Sequence, residues 1–301
     1  MSEKPRPTAK NNRLERLDVN ELHFAEEMAP GRNVELAGLG TIFVREAKGP
    51  AGSPTVLLVH GILATADLNW SMAIPALSEH YNVVATDLRG HGDGLHTRRF
   101  DAAECADDLA ALVTTLGLGR VIVVGYSLGG LVAQLFVRRH PDLVAGLVLC
   151  ATACEFSASD GGPVMSVVRQ IALALPEWAR RATIMAILKP KAADQGRGPW
   201  LMDQVGKHDT RAILEAAGEA ISFESTGWLG ESDAPSAVVL TSNDSVVPPS
   251  AQREMCEVLG TRAVFEVEGD HFVCLKRPEV FNTALIGACQ STVRERQLVA
   301  A

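Results

Sequence analysis

Length, composition and charge limit the classes of protein to which this sequence can belong. The chain has 301 residues, of which 47% are hydrophobic and 21% are charged, which suits one large domain or one domain with an insertion. Its formal net charge is −8, whereas nucleic-acid-binding proteins carry an excess of basic residues, so we expect no nucleic-acid partner. With 26 Gly, 15 Pro and 5% aromatic residues, the composition excludes collagen-like, low-complexity and mostly disordered chains.

The first 31 residues differ from the rest of the chain. The segment from Lys4 to Arg16 carries five basic residues among Pro, Thr and Asn, so we expect residues 1–31 to form a flexible tail. Residues 1–20 hold no apolar segment of secretory length, and the six cysteines form no C-x-x-C pair. These features predict a cytoplasmic protein with buried free thiols. The longest uncharged stretch, residues 121–137, has glycines in its middle and predicts a strand, a turn and a helix, so no transmembrane segment is expected.

From residue 32 onward, short apolar strands alternate with helical patterns. A hairpin comes first, with strands predicted at residues 33–37 and 41–46 around Gly38-Leu39-Gly40. Six brief and mostly apolar strands follow, at residues 55–59, 82–86, 121–124, 146–149, 237–241 and 263–267. Helical patterns lie at residues 103–116, 130–139 and 251–259. Strands that are apolar on both faces predict a parallel sheet with helices on each side.

The alternation stops between residues 155 and 232, where apolar residues follow helical spacing. The predicted organisation is therefore a sheet domain formed by residues 32–154 and 233–301, interrupted by a helical cap at residues 155–232. Apolar side chains of this cap either pack it onto the sheet domain or line a lipophilic pocket. They are Val164, Val168, Ile171, Leu175, Trp178, Ile184, Met185, Ile187 and Leu188.

The segment Gly125-Tyr126-Ser127-Leu128-Gly129 lies between a predicted strand and a helical pattern. A serine on a tight turn from strand to helix is exposed at the carboxyl edge of the sheet, and glycines two residues to either side leave room for a strained backbone. The following helix directs its unpaired N–H groups toward the same point. Ser127 is therefore a candidate nucleophile, although G-x-S-x-G also recurs by chance around ordinary turn serines.

A serine nucleophile needs a base to take its proton and an acid to orient that base. His271 follows the last predicted strand and is the candidate base, and Asp244 follows the preceding strand and is the candidate acid. This order of nucleophile, acid and base is typical of such a topology. Two alternative acids are Asp270 and Glu155, and Asp244 has the alternative role of starting a turn before Pro248.

The remaining candidates lie in the loops after the third and fourth strands and directly after Ser127. The backbone N–H groups of Ile62 and Leu128 are the candidate donors to an oxyanion. We expect His60 to be a structural loop histidine, and Asp87 and His91 to belong to a hydrogen-bonded turn rather than to the catalytic groups. The histidines and cysteines lack metal-ligand spacing, so no metal is expected.

Five motifs in chain order, HGIL, DLRGHG, GYSLGG, SNDSVVPP and GDHF, resemble those of the α/β-hydrolase fold family over about residues 34–288. The resemblance implies an eight-stranded, mostly parallel sheet, a helical lid between the sixth and seventh strands, and chemistry without a cofactor. It matches the nucleophile to Ser127, the acid to Asp244, the base to His271 and the oxyanion positions to Ile62 and Leu128. Haloalkane dehalogenases and epoxide hydrolases, which are similar elsewhere, use an aspartate at the elbow, so the serine favours acyl transfer.

The function implied by this resemblance is hydrolysis of a small or lipophilic carboxylic ester through an acyl-enzyme intermediate. The expected partner is a small-molecule ester. Because a histidine base must be neutral, we expect acylation to become faster as the pH rises through the ordinary titration range of histidine. Two other functions stay open: C–C bond hydrolysis or cofactor-free perhydrolase chemistry on the same fold, and binding of a small molecule with little turnover. The sequence also leaves the acyl group, the alcohol and the oligomeric state open.

Overall fold

The computed structural model describes residues 28–97, 99–156, 169–193 and 198–300. Within these residues the chain forms one eight-stranded sheet in the order β1-β2-β4-β3-β5-β6-β7-β8. Its strands are β1 (Gly31–Leu36), β2 (Gly40–Ala47), β3 (Thr55–Val59), β4 (Asn82–Thr86), β5 (Val121–Tyr126), β6 (Val144–Cys150), β7 (Ser236–Thr241) and β8 (Val264–Val267). The pairs β1/β2 and β2/β4 are antiparallel and the others are parallel. The predicted α/β class with an eight-stranded, mostly parallel sheet is confirmed.

The central strands are apolar because both of their faces are covered. All six residues of β5 and all six of β7 are buried. The edge strand β1 instead alternates, since Val34 and Leu36 are buried while the residues between and before them are exposed. This difference follows from the helices, which cover both faces of the sheet at its centre but leave its edge partly open to water.

Helices pack on both faces of the sheet. The described residues include the helices α1 (Ala66–Trp70), α2 (Ala73–Ser78), α3 (Ala102–Thr115), α4 (Leu128–Arg139), α5 (Glu177–Ala193), α6 (Gly198–Gly206), α7 (Thr210–Ser222), α8 (Pro249–Leu259), α9 (Val273–Lys276) and α10 (Pro278–Ala300), of which α5, α6 and α7 lie between β6 and β7. On one face, Leu109 of α3, Phe136 of α4 and Met255 of α8 join one buried apolar cluster. On the other face, Trp70 of α1 and Phe281 of α10 join a second cluster. The apolar strands therefore lie between two cores.

The segment between β6 and β7 is helical in its described parts, which are residues 169–174 and the helices α5, α6 and α7. Residues 157–168 and 194–197 of the predicted cap, and residues 1–27 of the predicted tail, lie outside the described residues. The Asp209 N–H, at the start of α7, donates to the Gly90 carbonyl over 3.0 Å, which joins this segment to the loop after β4. Of the apolar cap residues, Ile171, Leu175 and Trp178 are exposed, Trp178 by 75%.

The strand order brings four loops together at one edge of the sheet. The chain leaves β3 toward β4 on one side and returns to β5 on the other side of β3, so the loops after β3 and β5 are adjacent. Ligands of open α/β sheets bind at such a reversal, beyond the carboxyl ends of the strands. The loops after β7 and β8 end at the same edge. None of the described helices combines the length and apolar character that crossing a membrane requires.

Candidate active site

Ser127 occupies a strained turn between β5 and α4. Its backbone has φ 53° and ψ −119°, a conformation that residues with a side chain rarely adopt. A Cβ atom on Gly125 would lie 2.3 Å from the Gly129 carbonyl oxygen, and one on Gly129 would lie 2.3 Å from the Val59 carbonyl oxygen. The Thr152 hydroxyl donates to the Ser127 carbonyl over 2.9 Å. Both glycines are therefore required by close backbone packing, and neighbouring hydrogen bonds hold the turn.

The structure brings Ser127, His271 and Asp244 into one hydrogen-bonded chain. The distance from Ser127 Oγ to His271 Nε2 is 3.0 Å, and the distance from His271 Nδ1 to Asp244 Oδ2 is 2.7 Å. The Tyr126 hydroxyl donates to the His271 carbonyl over 2.9 Å, which anchors the histidine to the residue before the serine. This arrangement lets the imidazole accept the serine proton while the carboxylate fixes the ring.

Both oxygens of the Asp244 carboxylate are fully engaged. Oδ1 accepts hydrogen bonds from the N–H groups of Val246 (2.8 Å) and Val247 (2.9 Å), and Oδ2 accepts from the Thr241 hydroxyl (2.9 Å) as well as from His271. Burial by itself would raise the pKa of Asp244, but the hydrogen bonds from His271, Val247 and Val246 outweigh it and lower the pKa below its ordinary value. The carboxylate is therefore ionised and able to stabilise an imidazolium.

Neither alternative acid forms a hydrogen bond with His271 in the described residues. Asp270, although next to His271 in sequence, accepts from the Phe272 N–H over 2.9 Å and from Lys276 Nζ over 2.6 Å. Glu155 is exposed and forms an isolated strand bridge with Glu224. The turn predicted as the other role for Asp244 is also present, because its Oδ1 accepts from two N–H groups of the following loop. The same carboxylate thus orders its loop and contacts the histidine.

Two backbone N–H groups lie beside the serine as candidate donors to an oxyanion. The loop after β3 lies against the elbow, since a Cβ atom on Gly61 would be 3.2 Å from Ser127 Cβ. The Gly61 N–H donates to Asn69 Oδ1 over 3.0 Å. In the described residues, no protein acceptor receives a hydrogen bond from the Ile62 N–H or from that of Leu128, the first residue of α4. The structure therefore leaves both predicted oxyanion donors available.

Three buried histidines cluster near this edge of the sheet. The ring centroids of His60 and His91 are 5.3 Å apart, as are those of His91 and His208. His60 Nε2 accepts from the Leu88 N–H over 2.9 Å, and His208 Nδ1 accepts from the Gly92 N–H over 3.0 Å. Burial lowers the pKa of His60 to about 3 and that of His208 to about 4, so both rings are neutral at physiological pH. These contacts join the loops after β3 and β4 to the segment between α6 and α7.

Asp87 lies in the hydrogen-bonded turn that was expected for it. Its carboxylate accepts from the N–H groups of Ala66 (2.6 Å) and Asp93 (2.8 Å). Burial raises its pKa to about 6, and the two backbone donors offset part of that rise. The side chain therefore joins the first turn of α1 to the loop after β4.

Comparison with known proteins identifies relatives of this chain and of its fold. A family model described as the alpha/beta hydrolase fold matches residues 54–197. The pimeloyl-[acyl-carrier protein] methyl ester esterase of Neisseria meningitidis serogroup B is 29% identical over 246 residues, covering 79% of this chain and 93% of that protein. The esterase of the same name from Chromobacterium violaceum is 28% identical over 242 residues, covering 77% and 92%. The solved enol-lactonase of Burkholderia xenovorans superposes with a TM-score of 0.71 at 18% identity, over 86% of this chain and 100% of the lactonase.

The chain belongs to the α/β-hydrolase fold family. The family and the hydrolase class expected from the sequence are thereby confirmed.

Some residues that shape the site in this α/β-hydrolase carry no motif of their own. Asn69 accepts from the Gly61 N–H and donates from Nδ2 to Cys274 Sγ over 3.6 Å, which joins the loop after β3 to the helix after His271. Thr241 is the last residue of β7 and directly precedes the motif that contains Asp244, and its hydroxyl contact depends on how the following loop folds. His208 lies in a segment that the sequence marked only as helical. Contacts in the folded structure, rather than a sequence motif, identify all three residues.

Proposed function

We propose that this α/β-hydrolase is a serine esterase that cleaves a small or lipophilic carboxylic ester through an acyl-enzyme intermediate. The observation that carries the proposal is the chain of hydrogen bonds from Ser127 through His271 to Asp244, with distances of 3.0 and 2.7 Å. The names of the two esterase relatives, which span most of the chain, support an ester as the substrate. The proposed partner is a small-molecule ester.

The proposed cycle uses these side chains and water. His271 Nε2 takes the proton from Ser127 Oγ as that oxygen attacks the ester carbonyl. The Asp244 carboxylate accepts a hydrogen bond from His271 Nδ1–H and so selects the productive tautomer. The N–H groups of Ile62 and Leu128 bind the negative oxygen of the tetrahedral intermediate, each contributing about 2.7–4 kcal/mol to lowering the barrier. Collapse expels the alcohol, which takes the proton from His271. Water then attacks the acyl-enzyme with the same assistance, releases the carboxylic acid and restores Ser127.

We also propose that the protein works in the cytoplasm. All six cysteines are free and five of them are buried. Burial raises the pKa of Cys274 and of Cys289 to about 12, so these thiols stay protonated and unreactive. Unpaired thiols in a folded core suit a reducing compartment.

The test compares Ser127→Ala with the wild-type protein and with Ser291→Ala, a control on α10 whose hydroxyl donates to the Ala288 carbonyl. A panel of p-nitrophenyl esters from acetate to octanoate, together with a ring-fission dienoate, measures turnover, and a fluorophosphonate probe labels the nucleophile. We expect ester hydrolysis and labelling in the wild type and in the control, and a fall in kcat on the order of 10⁶ in Ser127→Ala.

Three results would contradict the esterase proposal. Wild-type turnover by Ser127→Ala would show that another group is the nucleophile. Turnover of the dienoate without any ester would assign C–C bond hydrolysis. Labelling without turnover of any substrate in the panel would indicate a binding protein.

A further inference from the structure

A buried glutamine lies behind the candidate acid. Gln252, on α8, is fully buried, and its Nε2 donates to the Thr241 hydroxyl oxygen and to the Val247 carbonyl, both over 2.8 Å. Its Oε1 accepts from the Thr241 N–H over 3.0 Å. These bonds determine the orientation of the amide, because the opposite orientation would place its NH₂ against the Thr241 N–H and its oxygen against the Val247 carbonyl.

Gln252 determines the direction in which the Thr241 hydroxyl donates its hydrogen bond. Thr241 Oγ1 accepts a hydrogen bond from Gln252, so its own hydrogen is directed at Asp244 Oδ2, 2.9 Å away. Oδ2 also accepts the Nδ1 proton of His271, and Oδ1 accepts two backbone N–H groups. The carboxylate thus accepts four hydrogen bonds, which is about its full capacity. Val247 provides one of those donors, and its carbonyl is held by the same glutamine.

We propose that Thr241 and Gln252 are positioning residues, which hold the Asp244 carboxylate in the plane that His271 needs and limit how strongly it binds the imidazolium. This inference rests on the proposed esterase function for its kinetic readout. If the hydroxyl is removed, three donors instead of four share the negative charge, so the carboxylate binds the protonated ring more tightly and is freer to rotate. The base then holds its proton to higher pH and approaches Ser127 less often in the correct orientation.

The first test compares Thr241→Val, which removes the hydroxyl at nearly constant volume, with Thr241→Ser, which keeps it. Thr292→Val is the matched control, because Thr292 is also fully buried but donates to the Cys289 carbonyl within α10. For Thr241→Val we expect kcat to fall about tenfold to a hundredfold with KM within about twofold, since a hydrogen bond to a charged group is lost. We also expect the acidic limb of the kcat/KM profile to move to higher pH. Thr241→Ser and Thr292→Val should stay within about threefold of the wild type.

The kinetic result can overturn the inference. Equal kcat values and equal pH profiles for Thr241→Val and Thr241→Ser would assign the threonine a purely structural role. Gln252→Met is a second, independent variant, which keeps the hydroxyl but releases its orientation, and it should lower kcat less than Thr241→Val does. If Thr241→Val does not fold, as judged by circular dichroism, a wild-type kcat in folded Gln252→Met would reject the inference.

A spectroscopic measurement separates this inference from the esterase proposal. The Nδ1 proton of His271, shared with the carboxylate, gives a low-field ¹H NMR signal that does not depend on turnover. We expect this signal to shift in Thr241→Val and to stay in place in Thr241→Ser and Thr292→Val. If the wild type hydrolyses no ester, the esterase proposal fails while the signal still decides the positioning role. An unshifted signal in Thr241→Val would overturn that role.

Discussion

Replacing Asp244 by asparagine should reverse the tautomer of His271. In the wild-type site, Oδ1 accepts the N–H groups of Val246 and Val247 at 2.8 and 2.9 Å, and Oδ2 faces His271 Nδ1 at 2.7 Å. In Asp244→Asn the amide oxygen must take the Oδ1 position, because only an acceptor can face two N–H donors. The amide NH₂ then points at Nδ1, so the imidazole carries its proton on Nε2 and cannot accept the proton of Ser127.

The expected loss follows from this wrong tautomer. The corresponding change in a serine protease triad lowers kcat about 10⁴-fold, which is about 5.4 kcal/mol of barrier. We expect a decrease of that order here, because the two N–H donors allow one orientation of the amide. The assay is steady-state hydrolysis of a p-nitrophenyl ester, with circular dichroism to confirm folding. The control is Asp270→Asn, which removes a carboxylate next to His271 in sequence that binds Lys276 and the Phe272 N–H instead. A loss below tenfold in Asp244→Asn, or an equal loss in Asp270→Asn, would refute this account of the acid.

Two further predictions concern stability. In Gly129→Ala the new Cβ would lie 2.3 Å from the Val59 carbonyl oxygen, so we expect the free energy of unfolding, measured in urea, to fall by about 1–3 kcal/mol. In the control Gly206→Ala the new Cβ meets nothing within 4 Å, so the free energy of unfolding should fall by less than about 1 kcal/mol. Equal losses would contradict the packing argument. Burial lowers the pKa of His60 to about 3 and that of His208 to about 4, from the ordinary value of 6.5. As the pH falls, these histidines are therefore protonated in the unfolded state before they are protonated in the folded state. The free energy of unfolding should then decrease as the pH drops from about 6.5 toward 4. The free energy of unfolding of His208→Gln, measured in urea, should fall less over that pH range than that of the wild type. An equal dependence on pH in the two proteins would argue against a contribution from His208.

Much of the fold follows from neighbouring residues in the sequence. The strands β3 and β4 begin and end at the predicted residues, because runs such as TVLLV and NVVAT are apolar on both faces and fit only a covered strand. Helix α4 begins at Leu128 rather than at the predicted Gly130, directly after the serine, since the strained turn at Ser127 passes straight into the helix. The elbow was recognisable because its two glycines flank the serine in the sequence, although the contact that requires Gly129 comes from Val59 of β3.

The tertiary structure decided which carboxylate serves His271. Asp244, Asp270 and Glu155 all lie beyond the ends of strands, and the sequence could not separate them by contact. Thr241 of β7 pairs with Val267 of β8, so the loops that follow these strands run side by side and bring Asp244 to His271. The support from Gln252 and the buried contact of His208 were equally hidden. The apolar runs of the strands and the glycine spacing of the turn are visible in adjacent residues, whereas contacts between side chains 27 or 144 positions apart depend on the order and register of the whole sheet.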